Sequence, residues 1–220
     1  MAEITNTHNG TRRGKLGATV TVNRRGKVYE RLAPVGNRSN TPQQQKQRSK
    51  FRVAIKAFSR LSQQFTIGFD RVSQPGCMGY NTGLGHNMSL ALRQNQQDWQ
   101  VDWNLVEVSC GTLANVTDIQ IAPLDATNPD SRMQLTWNPN IGTNAYQNDL
   151  LYLALYNTRL QLPLWLIKGN AERKDLIAPL PAIPLISDPD THFYLFTKRA
   201  KTNHVSTSTH FRLPSANPTE

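Results

Sequence analysis

The sequence predicts an α+β chain: an N-terminal β-hairpin plus one or two helices, followed by a mainly antiparallel β-sandwich. Three observations carry this. Between Phe51 and Phe65 apolar residues recur at three- and four-residue steps, the spacing of a one-sided helix. From Trp99 onward this gives way to short β-prone runs separated by Asn, Asp, Gly and Pro. With 220 residues and only two cysteines, the chain can bury a core without disulfide or metal staples.

The hairpin comes first in the chain. Thr19–Val22 and Lys27–Glu30 are β-prone and flank Asn23-Arg24-Arg25-Gly26, where Asn and Gly supply the backbone of a tight reversal. Gly10, Gly14 and Gly17 precede it and suggest an extended or looped arm. An isolated hairpin is marginal in water, so this one is expected to dock on the body or on another chain. A helix then starts at Thr41-Pro42, with Thr as N-cap and Pro at the first helical position. Phe51, Ala54, Ile55, Phe58, Leu61 and Phe65 form its expected core stripe, and Ile67-Gly68-Phe69 ends it. Its first turns, Gln43 to Arg48, are polar and are expected to project or to meet a neighbour. A second helix is expected from Asn81 to Gln94, on a stripe of Leu84, Met88 and Ala91/Leu92.

Eight strands are expected in the body: Trp99–Val108, Asp118–Ala122, Arg132–Trp137, Leu150–Tyr156, Leu164–Ile167, Leu176–Ala178, His192–Thr197 and Val205–Phe211. Short strands with regularly spaced turns fit an immunoglobulin- or fibronectin-like sandwich without its Cys…Trp…Cys framework. A jelly roll or small barrel is the alternative. Pro179, Pro181 and Pro184 mark an edge or a crossover between sheets. The hydroxyl-rich run Val205–Phe211 is expected at an edge, where it can pair with another chain. The expected domains are thus a basic hairpin-and-helix arm, 1–94, a sandwich, 95–214, and a polar tail, 215–220.

The net charge of +10 is concentrated at the front. Residues 1–60 hold 14 basic residues against two acids, while the remainder holds 11 against 13. Arg12, Arg13, Lys15, Arg24, Arg25, Lys27, Arg31, Lys46, Arg48, Lys50, Arg52 and Lys56 are therefore the candidates for docking a subunit or an anionic partner. Phosphate contacts through such residues would be non-specific and salt-dependent.

Chemistry-bearing motifs are sparse. Cys77 and Cys110 lack CxxC spacing, which argues against a disulfide scaffold and a thiolate metal site. Cys77 and His86 lie close in sequence without an orienting third partner. Gly79, Gly83 and Gly85 lack the GK[ST] of a phosphate loop. His192, His204 and His210 would converge if the last two strands pair, but no spacing places three rings around an ion. Asp188 and Asp190 straddle Pro189 as a turn. Trp99, Trp103, Trp137 and Trp165 are expected in the core. No catalytic residue, cofactor or metal is expected, and no enzyme activity. No apolar run approaches the roughly 20 residues of a membrane span, and the first residues do not read as a signal peptide.

The front end carries a resemblance. Gly14-Lys15-Leu16-Gly17, Gly26-Lys27-Val28-Tyr29 with Arg31, Asn40-Thr41-Pro42-Gln43-Gln44 running into Gln47-Arg48 and Phe51, and Ile67-Gly68-Phe69 together resemble an uncharacterised family of Bacteroidota proteins. That family has a GKLG…GK…R hairpin, a TPxQ helix start and a β-rich C-terminal part. The chain departs from it in its Gln-rich helix turns and in Arg24-Arg25. The resemblance implies architecture and no activity; relatives are also expected in phages and mobile elements of such hosts. The expected function is a structural or assembly protein. Its basic arm and sandwich edge would dock to itself or to other structural proteins, after cytoplasmic synthesis, in a virion or appendage. The alternative is non-specific nucleic-acid binding through residues 12–60.

Overall fold

The computed structural model describes residues 2–4, 14–24, 27–34, 36, 40–70, 72–73, 77–95, 98–124 and 132–213. The chain divides into two units, Met1–Gln45 and Lys46–Glu220, with the division inside the first helix.

In the first unit the expected hairpin exists, as β3 (Thr19–Arg24) against β4 (Lys27–Leu32). Its reversal at residues 25–26 lies outside the described residues. Two further strands, β1 (Ala2–Ile4) and β2 (Gly14–Leu16), extend it into an antiparallel sheet of order β1-β4-β3-β2. Gly17, at φ +58°, reverses the chain between β2 and β3. Val28 is the buried apolar residue of this sheet among the described ones, whereas Leu16 and Leu32 are about three-quarters exposed, at 73% and 75%.

The second unit opens on α1 (Pro42–Phe58), whose first residues belong to the first unit. Thr41 caps it reciprocally. Its Oγ1 accepts the Gln44 N–H at 3.3 Å, and Gln44 Oε1 accepts the Thr41 N–H at 3.4 Å. A 3-10 turn at Ser59–Leu61 joins α1 to α2 (Ser62–Phe69) and brings Phe58 and Leu61, three apart, onto one line. Ala54, Phe58, Leu61 and Phe65 are buried as expected. Phe51 and Ile55 are not: they remain 48% and 36% exposed.

The second expected helix is α3 (Gly79–Leu90). It stops short of Gln94, because β5 (Leu92–Asn95) pairs with β6 (Asp98–Val101) as a separate hairpin. The expected strand Trp99–Val108 breaks after Val101. Asp102 accepts the Asn104 N–H and starts a 3-10 turn, Trp103–Leu105. Beyond it lie β7 (Thr117–Pro123), β8 (Met133–Asn138), β9 (Leu150–Asn157), β10 (Leu162–Glu172), β11 (Ile177–Pro179), β12 (Thr191–Lys198) and β13 (Thr209–Phe211).

These seven strands form two antiparallel sheets, β11-β8-β7 and β10-β9-β12-β13. Leu151, Leu153 and Leu155 of β9 and Phe193 and Leu195 of β12 share a core with Leu135, Trp137 and Ala178 of the smaller sheet. Tyr156, Tyr194 and Phe196, on the other face, share a second core with Phe58, Leu61, Phe65 and Leu84 of the helices. The larger sheet is thus the middle of three layers. Burial on both faces explains why Leu150–Tyr156 is wholly apolar.

The run before β13 corrects an expectation. Only Thr209–Phe211 is strand. In residues 205–208 isolated bridges and backbone bonds (Ser206 N–H to the Thr197 carbonyl, Ser208 N–H to the Ser109 carbonyl) are joined by hydroxyl bonds: Ser208 Oγ accepts the Val108 N–H at 3.0 Å and Ser206 Oγ the Thr197 N–H at 2.9 Å. Ser109 Oγ donates to the Ser206 carbonyl at 2.8 Å. Residues 206–208 are stitched into the body, while β13 itself lies at the edge of its sheet, as expected. No helix among the described residues is long and apolar enough to cross a membrane.

Candidate functional site

The basic candidates do not form one patch. Arg12, Arg13 and Arg25 lie outside the described residues, and Arg24 and Lys27 are opposite each other at the end of the β3–β4 ladder. Lys15 and Arg31 are exposed on β2 and β4. On α1, Lys46 and Lys50 turn toward β6: their ammonium groups lie 5.8 Å and 4.8 Å from the centre of the Trp99 ring. They shield an aromatic face in an interaction worth about 0.5–1 kcal/mol at an exposed site. Arg48, Arg52 and Lys56 recur at four-residue steps on the outward side, beside Phe51 and Ile55. Among the described residues no acidic side chain pairs with Arg52 or Lys56.

A second grouping joins residues that sequence spacing kept apart. His86 Nε2 on α3 lies 2.8 Å from Glu107 Oε2, with both side chains about one-third exposed, at 33% and 27%. Cys110 completes a trio in which one ligating atom of each residue lies within 4.8 Å of the other two. Burial, the Glu107 charge and a weaker opposing hydrogen bond from Thr207 act on the Cys110 thiol, and their net effect raises its pKa. Asn87, fully buried, fixes the geometry. Its Oδ1 accepts the Glu107 N–H at 2.9 Å, and its Nδ2 donates to the Glu107 carbonyl at 2.8 Å and to the Gly83 carbonyl at 2.9 Å. The Cys110 N–H donates to the Gly68 carbonyl at 3.3 Å. That bond requires glycine, since a Cβ at residue 68 would sit 2.0 Å from the Val108 carbonyl oxygen.

Two of the three histidines expected near one another do meet. His192 Nδ1 and His210 Nε2 are 2.9 Å apart across β12 and β13, whereas His204 sits in the loop at the other end of β12. Burial holds His192 down to about 4; the charges of His210 and Arg212 add to this and Asp102 opposes it. His210 is lowered in the same way, first by burial and then by Arg212. Trp103 stacks on Tyr156 at 4.5 Å between ring centres, and its carbonyl accepts the Tyr194 hydroxyl at 2.9 Å. The rings are tightly packed in a wall of the body.

A buried ion pair had no signature in the sequence. Arg173 is fully buried and approaches Asp149 Oδ2, also fully buried, at 3.5 Å. Its fork also donates to the Pro139 carbonyl at 2.7 Å, the Ala114 carbonyl at 2.6 Å and Thr197 Oγ1 at 3.2 Å. Burial lowers the Arg173 pKa and Asp149 raises it. One side chain therefore ties together three loops and β12. Asp188 and Asp190 form the expected turn: Asp188 Oδ1 accepts the Asp190 N–H, and Arg159 pairs with both carboxylates.

No curated protein and no solved structure matches the chain. A family model does match, over residues 11–195, and on that match the chain belongs to DUF6266, a family of unknown function.

Proposed function

We propose that the chain is a non-enzymatic assembly protein that docks to further copies of itself through the outward face of α1 and the basic arm. The observation that carries this is the make-up of that face, where Phe51 and Ile55 are exposed among Arg48, Arg52 and Lys56. Large apolar side chains flanked by cations suit a surface with an apolar centre and an acidic rim. A second copy supplies the complementary charge, since the excess of acids lies in residues 61–220 and the excess of bases in residues 1–60. Leu16 and Leu32, exposed on a small sheet with little buried apolar surface, give the first unit its own need of a partner.

Two finer points belong to this reading. Taking β7 to β13 as strands A, B, C, C′, E, F and G gives sheets A-B-E and C′-C-F-G, the neighbour order of an immunoglobulin- or fibronectin-like sandwich. Helices would then cover the outer side of C′-C-F-G. The Gly14–Gly17 and Thr41–Gln44 motifs support Bacteroidota relatives, and a virion or appendage would be a setting for the docking proposed here.

Size-exclusion chromatography with light scattering on the full chain and on Phe51→Ser/Ile55→Ser tests the docking face. The wild type is expected to associate and the double variant to lose at least about tenfold in association. Equal association by the two proteins would remove the face from the account. Association that needs added oligonucleotide would replace it with nucleic-acid binding.

A further inference from the structure

We infer that His86, Glu107 and Cys110 form a zinc site on the body, independent of the docking face of α1. The three ligating atoms, one nitrogen, one oxygen and one sulfur, already lie within 4.8 Å of one another. A tetrahedral zinc ion with bonds of about 2.0–2.3 Å holds its ligand atoms roughly 3.3–3.7 Å apart. Closing the trio therefore needs small side-chain adjustments, with the nitrogen and oxygen parting from 2.8 Å. A mixed set with thiolate and imidazole suits a borderline-soft ion far better than magnesium or calcium, which take oxygen. Partial exposure of all three residues leaves a fourth position for water.

The backbone around the trio has the supports such a site needs. Asn87 is adjacent to one ligand and holds the main chain of another at both its N–H and its carbonyl. Gly68 holds the main chain of the third. These contacts fix the main chain from which Glu107 and Cys110 extend. An ordinary ion pair between His86 and Glu107 would not require a thiol beside it. On binding, the Cys110 S–H bond breaks and the proton held between His86 Nε2 and Glu107 Oε2 leaves that bond; these protons pass to solvent, and the sulfur, nitrogen and oxygen electron pairs form the bonds to zinc. No electron is transferred. The ion would clip α3 to residues 107–111, which the hydroxyls of residues 206–208 tie to the rest of the body.

The full chain, purified without a polyhistidine tag and stripped of metal, is titrated with zinc alone and with cobalt as a spectroscopic stand-in. One ion per chain is expected, with a thiolate-to-cobalt charge-transfer band and a rise in melting temperature. Cys110→Ser should abolish the band and weaken zinc binding on the order of a hundredfold. Glu107→Gln, nearly the same shape, should weaken binding while keeping the band. Cys77→Ser should change neither, since Cys77 lies outside the trio. A cobalt spectrum without the charge-transfer band, or undiminished zinc affinity in Cys110→Ser, overturns the site.

Discussion

At the scale of single residues, the side chains that most constrain the fold are Arg173 and Gly68. Removing the Arg173 guanidinium takes from the buried Asp149 carboxylate its fully buried cation, leaving the half-buried Arg199 at 3.7 Å, and takes a donor from the Pro139 and Ala114 carbonyls and from Thr197 Oγ1. Arg173→Ala is expected to cost about 3–5 kcal/mol in urea unfolding, and Asp149→Asn is also expected to destabilise, because it leaves the buried guanidinium without its counter-charge. A loss under about 1 kcal/mol in Arg173→Ala would show that the network is not held as described. Gly68→Ala forces a methyl group onto the Val108 carbonyl and is expected to cost about 1–3 kcal/mol by the same measurement. Neither role was legible in the sequence. Arg173 sits in the ordinary polar context Glu172-Arg173-Lys174-Asp175, and only the folding of three distant loops around it makes it a core residue. The same holds for His86, Glu107 and Cys110, which span a helix and an irregular segment and so show no ligand spacing.

At the scale of elements, the pairing of β12 with β13 builds a pH dependence into the body. Because burial holds the folded His192 near 4 while an unfolded histidine titrates near 6.5, the unfolded chain binds protons more readily between those values. Stability is therefore intact above about pH 6.5 and falls as the pH drops toward 4, by about 3 kcal/mol from this residue. The hydrogen bond to His210 needs one donor and one acceptor, so a doubly protonated pair loses it. Urea midpoints measured from pH 7.5 to 4.5 should show this slope, and His192→Phe should flatten it; an unchanged slope in the variant would assign the acid limb to other groups. Elements with a single local cause could be read from sequence. Thr41-Pro42 starts α1, and β7, β8, β9 and β12 lie within a residue or two of their expected ends. Elements set by tertiary contacts could not. Residues 92–95 continue a helical stripe yet pair with β6, and the hydroxyls of residues 206–208 form side-chain bonds where alternation implied a strand.

At the scale of the whole molecule, the helices and strands β5–β13 share the second unit. Packing divides the chain near residue 45. Residues 46–90 supply one outer layer to the β10-β9-β12-β13 sheet, and the three-stranded sheet supplies the other. Two of the helix cations are consumed in covering Trp99. What faces outward from α1 is a narrower, mixed surface of three cations and two large apolar side chains, and the assembly reading rests on it. Sedimentation velocity of the full chain, across a hundredfold range of concentration and at low and high salt, tests that reading most directly. The account predicts a mass that grows with concentration and an association that weakens as salt rises. A single monomeric boundary throughout the range would contradict it.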